Sequence, residues 1–148
     1  MVLCENRIFE MTAELFEAMF GLNIQKLAEI PSRNGNTLLT SHVNISGNWI
    51  GSISVESPFP FAQRITSLLF DMNPDETSAD EIHDAMGEIS NVLAGNIKEL
   101  LPDSCQLSIP VVTEGSNYKI IIPGCELKNR IDLECEGDHV AIKIYSKI

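Results

Sequence analysis

Three residues have types and a spacing that could do chemistry together: Asp84, Glu88 and Asn91, in the run Asp84-Ala-Met-Gly-Glu88-Ile-Ser-Asn91-Val-Leu-Ala-Gly95-Asn96. In a helix of roughly 100° per residue, these three and Gly95 fall on one narrow strip. Asn91 is the telling member. An amide neither titrates nor solubilises as well as a charge, yet it donates and accepts hydrogen bonds at once, which is what holding a water molecule requires. Gly87 and Gly95 lie on the same side, and each costs about 1 kcal/mol relative to Ala in a helix interior. A merely solvated face would carry Lys, Glu or Ala. Taken singly, Asp84 or Glu88 reads as ordinary wet surface. Small residues beside an acid and an amide imply instead that something large approaches this helix closely.

The opposite side of the same stretch positions the strip. From Ser78 to Leu101 the apolar residues Ile82, Ala85, Met86, Ile89, Leu93, Ile97 and Leu100 recur at the three-to-four spacing of one helix stripe, which predicts a core-facing helix. Ser78-x2-Glu81 is a capping-box start, and Pro102 stops the helix after roughly six turns.

Asp84-x3-Glu88-x2-Asn91 followed by Gly95-Asn96, in a long helix flanked by strand-like segments, resembles the helix motif of the CheC/CheX chemotaxis phosphatases. The resemblance in organisation runs from about Ile24 to the end. It implies a hydrolase of two-component signalling that removes the aspartyl phosphate of a CheY-type response regulator. Asn91 would orient the attacking water in line with the phosphorus. Glu88 would grip the regulator through its active-site lysine, with Asp84, Gly87 and Gly95 supporting partner binding. Positioning and electrostatics supply most of the catalysis in phosphoryl transfer, so no nucleophile on this chain is needed. Magnesium would be bound by the partner, because nothing here offers a carboxylate cluster of the right kind, and no metal or cofactor is expected on the chain itself. CheC-type proteins carry two motif copies and a downstream proline. Here there is one copy, since the first helix reads Glu14-Leu-Phe-Glu17 without the asparagine, and Pro110 lies in the region of the proline. A single copy is closer to CheX, whose relatives are associated with homodimers. The alternative from another class is a noncatalytic adaptor that binds response regulators, or a dimerising module, using the same face.

Composition narrows the partners. A chain of 148 residues, 44% hydrophobic, fits one domain spanning 1–148. The net charge of -11 argues against nucleic acid and against anionic lipid, leaving a protein partner or a small ligand. No run of apolar residues is long enough to span a membrane, and Met1 to Arg7 lacks the basic start of a signal peptide, so a cytoplasmic location is expected. Cys4, Cys105, Cys125 and Cys135 show no C-x2-C pairing and read as free thiols. His42, His83 and His139 are isolated, without a partner at metal spacing.

The remaining elements follow from periodicity and turn chemistry. Asn6 to Phe20 reads as a helix stopped by Gly21, with Glu10, Glu14 and Glu17 solvated. Asn23 to Ile30 reads as a strand, and the turn Arg33-Asn34-Gly35-Asn36 leads into Thr37 to Ile45 and Trp49 to Val55, joined by Ser46-Gly47-Asn48, as a β-meander. After Pro58-Phe-Pro60, Phe61 to Met72 resumes helical spacing, ending at Asn73-Pro74. Cys105 to Thr113, Tyr118 to Pro123, Ile131 to Glu136 and His139 to Tyr145 read as strands, with Gly137-Asp138 closing a hairpin buried on one face. Segregated strands and helices predict an α+β fold, long helices packed on a mainly antiparallel β-sheet, and the resemblance to CheX agrees.

Overall fold

A computed structural model of the chain describes residues 3–32, 36–116 and 118–148. The fold is α+β. Helix α1 (Glu5–Phe20) buries Ile8, Met11, Leu15, Phe16 and Phe20 on one stripe and leaves Glu10, Glu14 and Glu17 exposed. Gly21 ends it in the left-handed region at φ 68, and its N–H donates to Glu17 O as a C-terminal cap. Helix α2 (Phe59–Phe70) takes Pro60 in its first turn, where a missing N–H costs nothing, and stops at Asp71 with φ 51.

Helix α3 (Ala79–Lys98) begins at a complete capping box. The Glu81 N–H donates to Ser78 Oγ at 3.1 Å, and the Ser78 N–H donates to Glu81 Oε1 at 2.9 Å, a bond that holds the Glu81 carboxyl below the usual range. The helix ends at Lys98, short of Leu101, because its last turn tightens into i to i+3 bonds over Glu99, Leu100 and Leu101.

Among the described residues, seven strands make one sheet in which every pairing is antiparallel. The strands are β1 (Gln25–Lys26), β2 (Leu38–Gly47), β3 (Gly51–Pro58), β4 (Cys105–Leu107), β5 (Val111–Gly115), β6 (Cys125–Cys135) and β7 (Asp138–Lys147). Their order is β1-β6-β7-β3-β2, with β4 and β5 both alongside β2. Alternation sets the faces. Leu39, Ser41 and Val43 of β2 are buried towards α3, as are Ile53 and Val55 of β3 and Ile142 and Ile144 of β7, their direct cross-strand partners. Helices α1 and α2 flank α3 and meet through stacked Phe16 and Phe61, ring centroids 6.2 Å apart.

Several expectations need correction. The strand expected over Asn23–Ile30 is only β1, because Ala28, Glu29 and Ile30 are exposed and belong to no ladder. It pairs with Leu133 and Glu134 of β6 at the far edge and not with β2, so there is no meander at that point. Arg33, Asn34 and Gly35 of the expected turn lie outside the described residues. The strand expected over Cys105–Thr113 breaks at Ser108–Pro110, since Pro110 has no N–H for the ladder.

The Tyr118–Pro123 segment belongs to no ladder, and Pro123 already lies in the turn before β6. Its alternating half-burial comes from lying across the sheet face opposite α3, where the Tyr118 hydroxyl meets Thr40 Oγ1 at 2.6 Å. The last hairpin turns at Glu136-Gly137, with φ of 51 and 87, one residue earlier than expected and in the positive-φ geometry that two-residue hairpins favour.

Candidate active site

Asp84, Glu88 and Asn91 are exposed along α3, opposite its buried Ile82, Ala85, Met86, Ile89, Leu93 and Ile97. With His83, Gly87, Pro110 and Val112 they line an open groove of ≈ 500 Å³ between the helix and the start of β5. The two glycines of the strip behave differently. A Cβ at Gly87 would stand 3.3 Å from Pro110 Cβ, whereas a Cβ at Gly95 would meet nothing within 4 Å. The body that approaches closely at Gly87 is therefore this chain's own Pro110. Gly95 alone keeps open space above it.

Two contacts fix the helix under the groove. Ser90, one residue before Asn91, is fully buried, and its hydroxyl meets that of Ser41 on β2 at 2.5 Å. The Ser90 hydroxyl is also 3.1 Å from Gly87 O, so it can donate there while accepting from Ser41. One turn earlier, the Ser57 hydroxyl of β3 reaches Met86 Sδ at 3.6 Å. A polar pair inside an apolar helix–sheet contact is satisfied only at one rotation and one axial position of α3, which sets where Asn91 and Glu88 point.

His83 and Glu114 were not foreseen. His83 Nε2 is buried without a hydrogen bond and lies 3.6 Å from Glu114 Oε2 of β5. The spacing of His83, Gly87 and Asn91, each one turn apart, was the available signal for the histidine. Glu114 carried none, being remote in sequence.

Asp84 and Glu88 line the groove and Glu114 lies at its edge, while the lining contains neither lysine nor arginine. The surface is suited to a cationic group on a partner. Its openness suits a macromolecule better than a small substrate, which would need to be largely enclosed.

Elsewhere the polar clusters are structural in geometry. Asp132, 7% exposed, receives Arg130 through Nε and Nη2 and lies 2.6 Å from His139 Nε2. Lys143 donates to Glu56 at 3.1 Å. No grouping of three or more His, Cys, Asp or Glu able to hold a metal occurs among the described residues, and all four cysteines are free. No helix among the described residues is long and apolar enough to cross a membrane.

A family model described as chemotaxis phosphatase CheX matches residues 39–131, a span that includes α3, Pro110 and Glu114. The chain belongs to the CheX family. Solved CheX structures share its fold. That of CheX from Vibrio vulnificus superposes with a TM-score of 0.78 at 20% identity, covering 97% of this chain and 95% of that one. A CheX from Desulfovibrio desulfuricans gives 0.76 at 18% identity, over 96% and 97% of the two chains. CheX of Borrelia burgdorferi, solved in complex with CheY, beryllofluoride and magnesium, gives 0.73 at 18% identity over 100% of both. A search of curated proteins gave no match.

Proposed function

We propose that this CheX-family chain hydrolyses the aspartyl phosphate of a CheY-type response regulator, using the groove on α3. The observation that carries the proposal is the exposure of Asn91 and Glu88, one turn apart on a helix pinned from behind by Ser41 and Ser90. In this reading the Asn91 amide accepts from and donates to a water and holds it in line with the phosphorus. The Glu88 carboxylate takes a cation of the partner, its active-site lysine, and Asp84 lends the same charge one turn away. Magnesium is held by the regulator. The Borrelia structure, in which a CheX is seated on CheY with beryllofluoride and magnesium, supports the choice of partner. The chain acts as a symmetric dimer in cytoplasmic signalling, and the length of β6 from Cys125 to Arg130, which β1 does not reach, is an edge that a second copy can pair with.

The test is the lifetime of a phosphorylated receiver domain with this chain added at a tenth of its concentration. A catalyst shortens the lifetime of the whole pool, whereas an adaptor needs equimolar amounts. Asn91→Ala is expected to remove at least about a hundredfold of the acceleration while keeping the partner affinity, and Glu88→Ala to weaken affinity and turnover together. Both should fold as the parent does, because exposed substitutions change stability little. An Asn91→Ala chain that folds and still dephosphorylates at the parental rate would sink the mechanism.

A further inference from the structure

Ile109 stands out in this molecule. It occupies the gap between β4 and β5 and is 82% exposed. Single exposed apolar residues are ordinary on protein surfaces, and Ile30, Ile121 and Ile148 are examples here in connecting or terminal segments. Ile109 differs in how it is held and in what it adjoins. On one side, Ser108 is tied to β2: its N–H donates to Asn44 O at 2.9 Å, and its Oγ accepts from the Asn44 N–H at 2.9 Å. The same hydroxyl lies 2.9 Å from Ile109 O. On the other side, Pro110 has a fixed φ and packs over Gly87, its Cβ 3.3 Å from where a Gly87 Cβ would stand. The chain thus spends a rigid corner on presenting an apolar side chain to water.

Pro110 lines the groove with Glu88 and Asn91, so Ile109 lies one residue from its wall. Gly87 and Asn91 are one helical turn, about 6 Å, apart. A protein bound stably enough to be specific covers roughly 800 Å² on each partner, a disc of about 16 Å radius. A footprint of that size centred on Asn91 extends over the Pro110 wall and up to the residue beside it.

We propose that Ile109 is the apolar anchor of the docked receiver domain, seating in a hydrophobic recess of that partner while the acidic strip Asp84–Glu88 takes a cationic side chain. The inference rests on the function proposed above and deepens it by naming a specificity-determining contact outside the reacting groups. A branched aliphatic buried within a charged interface adds affinity, and a backbone pre-ordered by Ser108 and Pro110 loses little freedom on binding. Ile109 does not touch the phosphoryl group, so it acts on binding and leaves the chemical step alone.

The experiment uses the full chain and a CheY-type receiver domain, charged with phosphate for turnover and with beryllofluoride and magnesium for titration. Ile109→Ser is expected to raise Kd for the beryllofluoride form and KM for the phosphorylated form by about tenfold to a hundredfold, with kcat and the thermal midpoint kept. Ile109→Leu should restore most of the affinity. Unchanged Kd and KM for Ile109→Ser, with Asn91→Ala still inactive, would overturn the anchor and leave the phosphatase reading standing. A parental chain that neither binds nor dephosphorylates the receiver would overturn both. A Ile109→Ser chain that changes from dimer to monomer in light scattering would assign the side chain to a contact between copies and overturn the anchor.

Discussion

Gly87→Ala and Gly95→Ala form a paired measurement that isolates the wall of the groove. Both glycines are interior to α3, so replacing either with Ala gains the same helix propensity, about 1 kcal/mol. At Gly95 nothing opposes that gain, because the new methyl meets no atom within 4 Å. At Gly87 the methyl would lie 3.3 Å from Pro110 Cβ and 3.7 Å from Pro110 Cγ, a few tenths of an ångström inside comfortable contact with the first. Pro110 cannot yield freely, since Ser108 is bonded to Asn44 two residues before it. Overpacking of this kind costs about 1 to 3 kcal/mol. The propensity terms cancel in the difference, so Gly95→Ala should be the more stable by about 1 to 3 kcal/mol in urea titration. Relative to the parent, Gly95→Ala should gain roughly 3 °C in thermal midpoint, and Gly87→Ala should gain nothing or lose. The functional readings should diverge as well. Gly87→Ala displaces Pro110 and should lower turnover on a phosphorylated receiver, whereas Gly95→Ala lowers it only if the partner fills the space above that residue. A Gly87→Ala chain stabilised as much as Gly95→Ala and fully active would refute the idea that Pro110 is a fixed wall.

Two further outcomes are expected. Ser90→Ala should cost about 1 to 3 kcal/mol, because it leaves the fully buried Ser41 hydroxyl without its partner, and the double change Ser41→Ala with Ser90→Ala should cost less than the sum; additivity in a denaturation cycle would count against a shared bond. Burial alone would raise the Asp132 carboxyl, but hydrogen bonds from Arg130 and His139 outweigh it and hold the group below its ordinary 3.8. A depressed folded pKa means that its contribution is complete above that ordinary value and is lost as pH falls through the lowered one, so the parent should lose stability below about pH 4 in a step that Asp132→Asn lacks. Identical acid-side curves for the two chains would contradict the pairing.

Helix α3 was legible because both of its faces are written into the sequence. The stripe from Ile82 to Ile97 is buried residue for residue, and Ser78-x2-Glu81 closes as a reciprocal capping box. The β2–β3 and β6–β7 hairpins were legible for the same local reason, alternation around a short turn. What misled was alternation without a ladder. Tyr118 to Pro123 has strand-like alternation, yet its half-burial comes from lying flat on the far side of the sheet, which period two cannot distinguish from pairing. Gly87 shows a subtler limit. Sequence shows that a small residue is needed but not which body needs it, and a neighbour more than twenty residues downstream, Pro110, supplies the answer. Glu114 meets His83 by tertiary placement alone.

The same distinction between local and tertiary signal explains why the site sits where it does. Phosphoryl transfer asks the protein mainly to hold a water and a partner at fixed positions, so the demand falls on rigidity rather than on reactive groups. A long helix lying on β2 and β3 supplies rigidity along its axis, but an apolar stripe alone would tolerate small rotations, since aliphatic contacts are not directional. Hydroxyl contacts are. The Ser41–Ser90 bond fixes rotation one residue before Asn91, and Pro110 against Gly87 fixes the lateral gap one turn earlier. The water-holding amide thus stands between two constraints of different chemistry, one behind the helix and one beside it. Loosening either should reduce turnover before it reduces partner affinity, because a docked receiver can tolerate a displaced side chain that an in-line water cannot.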